Sequence, residues 1–351
     1  MQYFPENTNK WKEIASVINR SKTIYLSSHV NPDGDALGSE IAFRKFLRNI
    51  HKKCRIINYS KTPELYKFLD PNNIIESYYE KSKIKNPPGK NDSVIFLDMG
   101  NYKRAGKVAN FLLHNNSVKI VIDHHQPDMI NADILVVNPK AAATGSLLYD
   151  LFCTIDKSAV DKKVATALLT AVITDTGYFK YRNTTSTTHL IASALYSHGV
   201  STSFISKKLE IGFPLPRQIL IGLALSNIRT TECGRISYSF ITQDMFEKAG
   251  AKREYTENII QQIIRIKGTK IAILIIQEVL PDENNNYKIS FRSVGNIPVN
   301  TIASKLKGGG HKNAAGANMI GSLETIISKV TNAAAKLLND MEESCGKDEM
   351  A

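Results

Sequence analysis

A chain of 351 residues with 42% hydrophobic content carries enough apolar material for two compact cores. No basic segment followed by an apolar stretch lies in the first 30 residues, and no uninterrupted apolar run reaches about 18 residues, so neither secretion nor membrane insertion is indicated and a cytoplasmic enzyme is expected. The net charge of +12 favours an anionic partner such as a phosphorylated substrate, although an ordinary lysine-rich surface gives the same sum.

From about Asn7 to Asn183 helix and strand patterns alternate, as in doubly wound α/β folds. Trp11 to Ile18 reads as a helix and Thr23 to Ser27 as a strand. A helix from Asp35 to Asn49 and a strand from Arg55 to Tyr59 follow, then further strands at Ser93, Lys119 and Ile134. Asn86-Pro87-Pro88-Gly89 is a surface loop, and Thr144, read as a cap, opens a helix to Phe152. The apolar helix Val164 to Ile173 precedes Asp175, and a helical connector is expected after Thr187.

After about Cys233 the pattern restarts as a separate α+β domain. Its elements are a strand from Arg235 to Ile241, a helix from Tyr255 to Ile266, and strands from Lys270 to Gln277 and Tyr287 to Val294. The helix Val299 to Leu306 stops at three glycines, and Leu323 to Met341 gives a final amphipathic helix before a polar tail. Cys54, Cys153, Cys233 and Cys345 lack Cys-x-x-Cys spacing, which argues for free thiols rather than a zinc site or disulfides.

Acidic and histidine clusters follow several of these elements: His29-x-x-x-Asp33-x-Asp35, Asp98, Asp123-His124-His125 and Asp175. The runs before His29, Asp98 and Asp123 are short, apolar and β-branched, the pattern of buried parallel strands, and such sheets gather ligands at the strands' carboxyl ends. Singly, an Asp after a strand is a helix cap or turn former, Asp33-Gly34-Asp35 reads as a turn, and His124-His125 as one packed and one exposed imidazole. Jointly, His29, Asp33, Asp35, Asp98 and His124 on three strands, with Asp175 from a helix end, read as a site for two adjacent metal ions.

These residues resemble the four motifs of the DHH phosphoesterases: His29 to Ser39, Leu97-Asp98, Asp123-His124-His125 and Thr174-Asp175-Thr176-Gly177. Ser290-Phe291-Arg292-Ser293 and Gly308-Gly309-Gly310-His311-Lys312-Asn313-Ala314-Ala315-Gly316 resemble the family's DHHA1 partner domain. The chain is most similar to the short oligoribonucleases and pAp phosphatases of the NrnA-like group. The resemblance implies an N-terminal doubly wound, mostly parallel DHH domain over residues 1–190 and a helical linker over 191–232. A smaller α+β DHHA1 domain over 233–342 and a disordered tail over 343–351 follow, with the active site expected in the cleft between the domains.

By the same resemblance one ion is held by His29, Asp33 and Asp98, the other by Asp35, Asp98, His124 and Asp175, with Asp98 bridging. Mixed imidazole and carboxylate donors without thiolate suit manganese, with Mg²⁺ or Co²⁺ as alternatives. His125 resembles the family's second histidine, which faces substrate and could contact the phosphate or protonate the leaving oxygen, and Asp123 would orient an imidazole. Arg104 could fork onto a phosphate or form a surface salt bridge, and Asn31 tunes the site or is a turn residue before Pro32. Arg292, Gly309, Gly310 and His311 would hold the substrate's far end.

The implied activity is manganese-dependent hydrolysis of short oligonucleotides such as pApA to mononucleotides, with dephosphorylation of 3′-phosphoadenosine 5′-phosphate (pAp) as a second reaction. A cyclic-dinucleotide phosphodiesterase is the alternative, and an inorganic pyrophosphatase or a processive RecJ-type exonuclease fits less well. The non-enzyme alternative is an RNA-binding module. No membrane and no obligate protein partner is inferred, and a homodimer is compatible.

Overall fold

Six short strands in the first part of the chain pair side by side, and the two central runs, Ile24–Ser27 and Ser93–Leu97, are buried along their whole length. The computed structural model describes residues 2–79, 84–114, 116–125, 130–211, 213–231, 233–280 and 283–348, with 279, 280, 283–285, 311 and 343–348 described by backbone alone. Two compact units result, Met1–Gly212 and Phe213–Ala351.

The first unit runs α1 (Thr8–Arg20), β1 (Ile24–Ser27), α2 (Gly34–Asn49), β2 (Cys54–Asn58), β3 (Ile75–Ser77), β4 (Ser93–Leu97), α3 (Val108–Leu113) and β5 (Val118–Asp123). It continues through β6 (Ile134–Val137), α4 (Thr144–Asp156), α5 (Lys162–Asp175), α6 (Ser186–Tyr196) and α7 (Thr202–Glu210). The sheet is parallel throughout, in the order β3-β2-β1-β4-β5-β6. Side chains alternate between its faces: Ile24, Leu26, Ile95 and Leu97 enter one core, Tyr25, Val94 and Phe96 the other.

Strand order reverses between β1 and β4, and in open α/β sheets a crevice opens outside the carboxyl ends of strands at such a point. His29 follows β1 and Asp98 follows β4, so the topology alone puts both at this crevice. α2 and α5 cross it closely. A Cβ on Gly34 would lie 2.4 Å from Thr174, and one on Gly38 would lie 2.6 Å from the Ala167 carbonyl oxygen. This glycine pair, one helical turn apart, lets the helix that carries Asp35 approach the helix that ends in Asp175.

The second unit contains α8 (Leu215–Ser226), β7 (Arg229–Thr230), β8 (Ile236–Ile241), α9 (Gln243–Ala249), α10 (Ile260–Ile263), β9 (Ile271–Leu280) and β10 (Glu283–Ser293). It closes with α11 (Val299–Lys305), β11 (Gly309–His311), β12 (Ala314–Ile320) and α12 (Leu323–Asp348). Its sheet, ordered β11-β12-β10-β9-β8-β7, is antiparallel except between β8 and β9. Ile271, Ile273 and Ile275 pack with Ile326, Val330, Ala334 and Leu338 of α12, while Ala272, Leu274 and Ile276 pack under α8, α9 and α10.

Several local expectations are revised. Thr144 is the first residue of α4 and not its cap; Ala143 takes the cap position without a side-chain bond. The helix expected over 255–266 is a short 3₁₀ turn, Arg253–Thr256, followed by α10, because Asn258 turns left-handed at φ 66° between them. Gly309 and Gly310 form an edge strand paired with β12 rather than a loop. α12 keeps a helical backbone to Asp348, into the stretch read as tail. The stretch read as a connector carries the end of α6, then α7, α8 and the strand β7, with Ile191, Leu195, Ile205 and Leu209 in the first unit's core and Leu220 and Ala224 in the second's.

Candidate metal centre

Asp98 is the residue on which the site converges. Its backbone turns left-handed at φ 58°, a conformation that aspartate tolerates better than most side chains, and its N–H donates to the Ile122 carbonyl of β5 at 3.1 Å. The carboxylate is 2% exposed. Asp98 Oδ2 lies 3.6 Å from His29 Nε2, and Asp98 Oδ1 lies 3.6 Å from His124 Nε2 and 3.5 Å from His125 Nδ1.

Donor atoms of His29, Asp33 and Asp98 all lie within 4.8 Å of one another, as do those of Asp35, His124 and Asp175, and those of Asp98, Asp123, His124 and His125. Around His124 the separations are long for hydrogen bonds: its Nε2 stands 3.6 Å from Asp35 Oδ2 and 3.5 Å from Asp175 Oδ2. That buried nitrogen has no hydrogen-bond partner among the described residues. Atoms each about 2.0–2.2 Å from a shared cation sit roughly 3–4 Å apart, so the spacing fits ligands around an ion.

The two imidazoles are prepared for that task. His29 Nδ1 is 3.0 Å from the Val30 carbonyl oxygen and His124 Nδ1 is 3.3 Å from that of Ala141. Donation from Nδ1 fixes the tautomer in which the Nε2 lone pairs face the carboxylates. The His125 ring is held differently, with Nδ1 2.7 Å from Asp123 Oδ1. That same oxygen accepts the backbone N–H groups of His124 and His125, at 2.8 and 3.1 Å. One Asp123 oxygen thus accepts two backbone N–H groups and contacts the His125 ring.

Each aspartate divides its oxygens. Asp33 Oδ1 caps α2 through the N–H groups of Asp35 and Ala36, while Oδ2 stays 3.9 Å from His29 Nε2, so capping and cluster membership coexist in a half-exposed side chain. Asp35 receives the N-terminus of α4, its Oδ2 accepting from Thr144 N–H at 2.7 Å and its Oδ1 from Gly145 N–H at 3.0 Å. Asp175 is held by Asn183, whose amide donates to its Oδ2 at 3.3 Å and to the carbonyls of Asp175 and Ala142 at 3.0 Å.

The electrostatics are incomplete without a cation. Burial and the neighbouring Asp98, Asp175 and Asp33 charges push Asp35 well above the usual carboxylate range. Burial raises Asp175 to about 6 against the pull of His124, with Asp98 and Asp33 adding to the rise. Burial also opposes charge on His29, yet Asp98 and Asp33 raise its imidazole to about 9. Burial alone would raise Asp98, but His29, His124 and His125 together hold it below the carboxylate range. A divalent cation held there would supply the positive charge that protons otherwise provide, and the donor set fits one.

The other expected residues are placed as follows. Arg104, in the turn after β4, accepts the Val30 N–H on its carbonyl at 2.7 Å, and its charge opposes protonation of His125. Asn31 is left-handed at φ 55° and pairs with Ser60 through its N–H and its side chain, at 3.0 and 3.3 Å. In the second unit, Arg292 of β10 and His311 of β11 both pair with Ala314 of β12, so Arg292, Ala314 and His311 form one row across three strands. Gly309 and Gly310 precede that row on the edge strand; the His311 side chain lies outside the described residues. Sequence reading missed Thr144, whose hydroxyl donates to Asp98 Oδ1 at 3.1 Å, and Asn183. A hydroxyl opening a helix and an asparagine in a turn carry no local pattern that separates them from ordinary caps.

A doubly wound sheet with an imidazole and carboxylate centre at its switch point defines the class as a candidate metal-dependent hydrolase of the α/β type. The chain belongs to the DHH family: residues 23–172 match the DHH family N-terminal domain and residues 236–342 match the DHHA1 domain. It is 29% identical over 335 residues to the bifunctional oligoribonuclease and PAP phosphatase NrnA of Thermus thermophilus, covering 94% of each chain. To the protein of the same name from Bacillus subtilis it is 26% identical, over 96% of this chain and 99% of the relative. A solved structure, an exopolyphosphatase-related protein from Bacteroides fragilis, matches with a TM-score of 0.87 at 26% identity, covering 93% of this chain and 96% of that one. Among the described residues no helix is long and apolar enough to cross a membrane.

Proposed function

We propose that the chain is a phosphoesterase, dependent on a pair of manganese ions, that hydrolyses short oligonucleotides such as pApA to mononucleotides and also removes phosphate from pAp. The observation that carries this reading is Asp98, whose two oxygens lie 3.6 Å from the Nε2 atoms of His29 and His124 and so belong to two donor groups at once. His29, Asp33 and Asp98 would hold one ion; Asp35, Asp98, His124 and Asp175 would hold the other. Nitrogen and oxygen donors without thiolate favour manganese. The relatives from Thermus and Bacillus, named as oligoribonuclease and PAP phosphatase, support the substrate class. A cytoplasmic setting fits it.

Two bound cations would supply charge neutralisation on the phosphate oxygens and water acidic enough to attack phosphorus near neutral pH. The chain's own residues do the rest. His125, with Nδ1 held by Asp123, keeps Nε2 as the atom that passes a proton to the leaving oxygen. Burial disfavours charge on that imidazole, but the Asp123 hydrogen bond and the Asp98 charge raise it above its ordinary value, which suits a proton donor. Arg104 would contact a non-bridging oxygen, and Asn31 would hold the loop after His29. Arg292 with the backbone of Gly309, Gly310 and His311 would take the substrate's far end.

Initial rates of the purified protein with Mn²⁺ on pApA, short RNAs, pAp, cyclic di-AMP and pyrophosphate test the reading. pApA and pAp are expected to turn over faster than cyclic di-AMP and pyrophosphate. A faster rate on cyclic di-AMP, or none on pApA, refutes it.

A further inference from the structure

We infer that Tyr181 is a stacking platform for a nucleobase beside the metal centre, a specificity contact that rests on the nucleotide phosphoesterase reading. Gly177, Tyr178 and Phe179 are three consecutive left-handed residues, at φ 53°, 61° and 62°. Two of them bear bulky side chains, for which this conformation costs about 1–2 kcal/mol each. The turn is held by its surroundings: Tyr178 N–H donates to the Ile173 carbonyl at 2.8 Å, Phe179 N–H to Thr176 Oγ1 at 3.1 Å, and Tyr181 N–H to the Thr176 carbonyl at 3.0 Å. The Phe179 ring stacks on His189 with centroids 5.2 Å apart.

What this turn presents is the Tyr181 ring. A Cβ on Gly177 would lie 2.4 Å from Tyr181 Cζ and 2.6 Å from both Cε atoms, so the distal ring rests on the glycine backbone. Yet Tyr181 is 51% exposed. One face is seated and the ring remains open to solvent, an arrangement that burial does not explain. Gly177 is two residues past Asp175, within about 7 Å by chain length. Asn183, two residues past Tyr181, donates to Asp175 Oδ2 at 3.3 Å. The segment that carries the ring is therefore anchored on both sides at Asp175, by the chain before it and by Asn183 after it, and the exposed Lys180 and Arg182 flank Tyr181 in sequence.

Aromatic faces take bases by stacking without regard to sequence, while flanking cations take phosphates. A base joined through its ribose to a phosphate at the centre is the chemical class that uses both. A strained turn that seats an exposed ring on a glycine is where structure is spent on function rather than stability.

The test compares Tyr181→Ala, Tyr181→Phe and Tyr181→Leu on pApA and on the same dinucleotide with both bases removed. Tyr181→Ala is expected to raise KM for pApA roughly tenfold or more, with the abasic substrate unaffected and Tyr181→Phe near the unaltered protein. Tyr181→Leu keeps an apolar cover on Gly177, separates folding from stacking, and is expected to behave as Ala. A second readout does not need turnover: fluorescence of a 2-aminopurine dinucleotide is quenched on stacking, and the quench is expected with Tyr or Phe at 181 and not with Ala or Leu. Equal KM for Ala and Tyr on pApA, equal losses on both substrates, or an unchanged quench overturns the platform. Absence of pApA hydrolysis by the unaltered protein instead sinks the phosphoesterase reading, and the quench still decides on Tyr181.

Discussion

The Thr144 hydroxyl donates to Asp98 Oδ1 at 3.1 Å, so the first residue of α4 grips the carboxylate that faces both His29 and His124. The backbone N–H of the same residue donates to Asp35 Oδ2 at 2.7 Å. One residue thereby ties Asp35 on α2 to Asp98 after β4. Thr144→Val is predicted to lower Mn²⁺ affinity or kcat by about 10- to 100-fold, the cost of losing a group that orients ligands. Thr144→Ser should retain most activity. Calorimetric Mn²⁺ titration and initial rates check this; an active, tightly binding Val variant counts against the role.

Asn183 acts on the opposite wall through Asp175. Asn183→Ala is expected to reduce kcat about tenfold with little loss of thermal stability, since the side chain is only partly buried. Asn183→Asp should be worse, because it adds a negative charge to a cluster whose carboxylates already raise one another. Initial rates and melting curves on both variants read this out, and equal activity of the two would remove the electrostatic part.

Gly38 sets how closely α2 meets α5. With the Ala167 carbonyl oxygen 2.6 Å from where a Cβ would stand, Gly38→Ala is predicted to cost about 1–3 kcal/mol, because backbone cannot yield as a side chain does. Denaturant melts measure it, and an unchanged midpoint would mean that the helices part freely.

Glu40 gives a pH signature apart from the centre. It is fully buried on α2, accepting from the Asn58 amide at 2.8 Å, and Asn58 Oδ1 accepts the Ser28 N–H at 3.2 Å beside His29. Burial raises its carboxyl to about 8, with the Asn58 and Ser28 groups opposing. Because the folded value lies above the unfolded one near 4.5, the folded chain holds the proton longer. Its contribution is full below about pH 4.5 and is lost as pH rises through about 8. With chelator present, the unaltered protein should lose stability relative to Glu40→Gln between those pH values, and parallel Tm profiles would show Glu40 already ionised at the lower pH.

Much of this was readable from residues alone. Continuous apolar runs ending in His29, Asp98 and Asp123 announce buried parallel strands whose carboxyl ends meet, because burial on both faces removes the alternation of a one-sided sheet. Tertiary placements were not. β3 is three residues long and gives no periodic signal, and Asn258 breaks a helix that apolar spacing supports. A glycine run reads as a loop until a partner strand is known, as β12 pairs Gly309 and Gly310. Thr144 and Glu40 owe their partners to residues distant in sequence, Asp35 and Asp98 for the one and Asn58 for the other, and a local pattern cannot carry that information.

The most direct test of the paired centre is the number and position of manganese ions. Crystals grown with Mn²⁺ should show two anomalous peaks per chain, one bonded to His29, Asp33 and Asp98 and the other to Asp35, Asp98, His124 and Asp175, with Asp98 bonded to both. No peak at this site, or a single ion that leaves Asp98 uncoordinated, would contradict it.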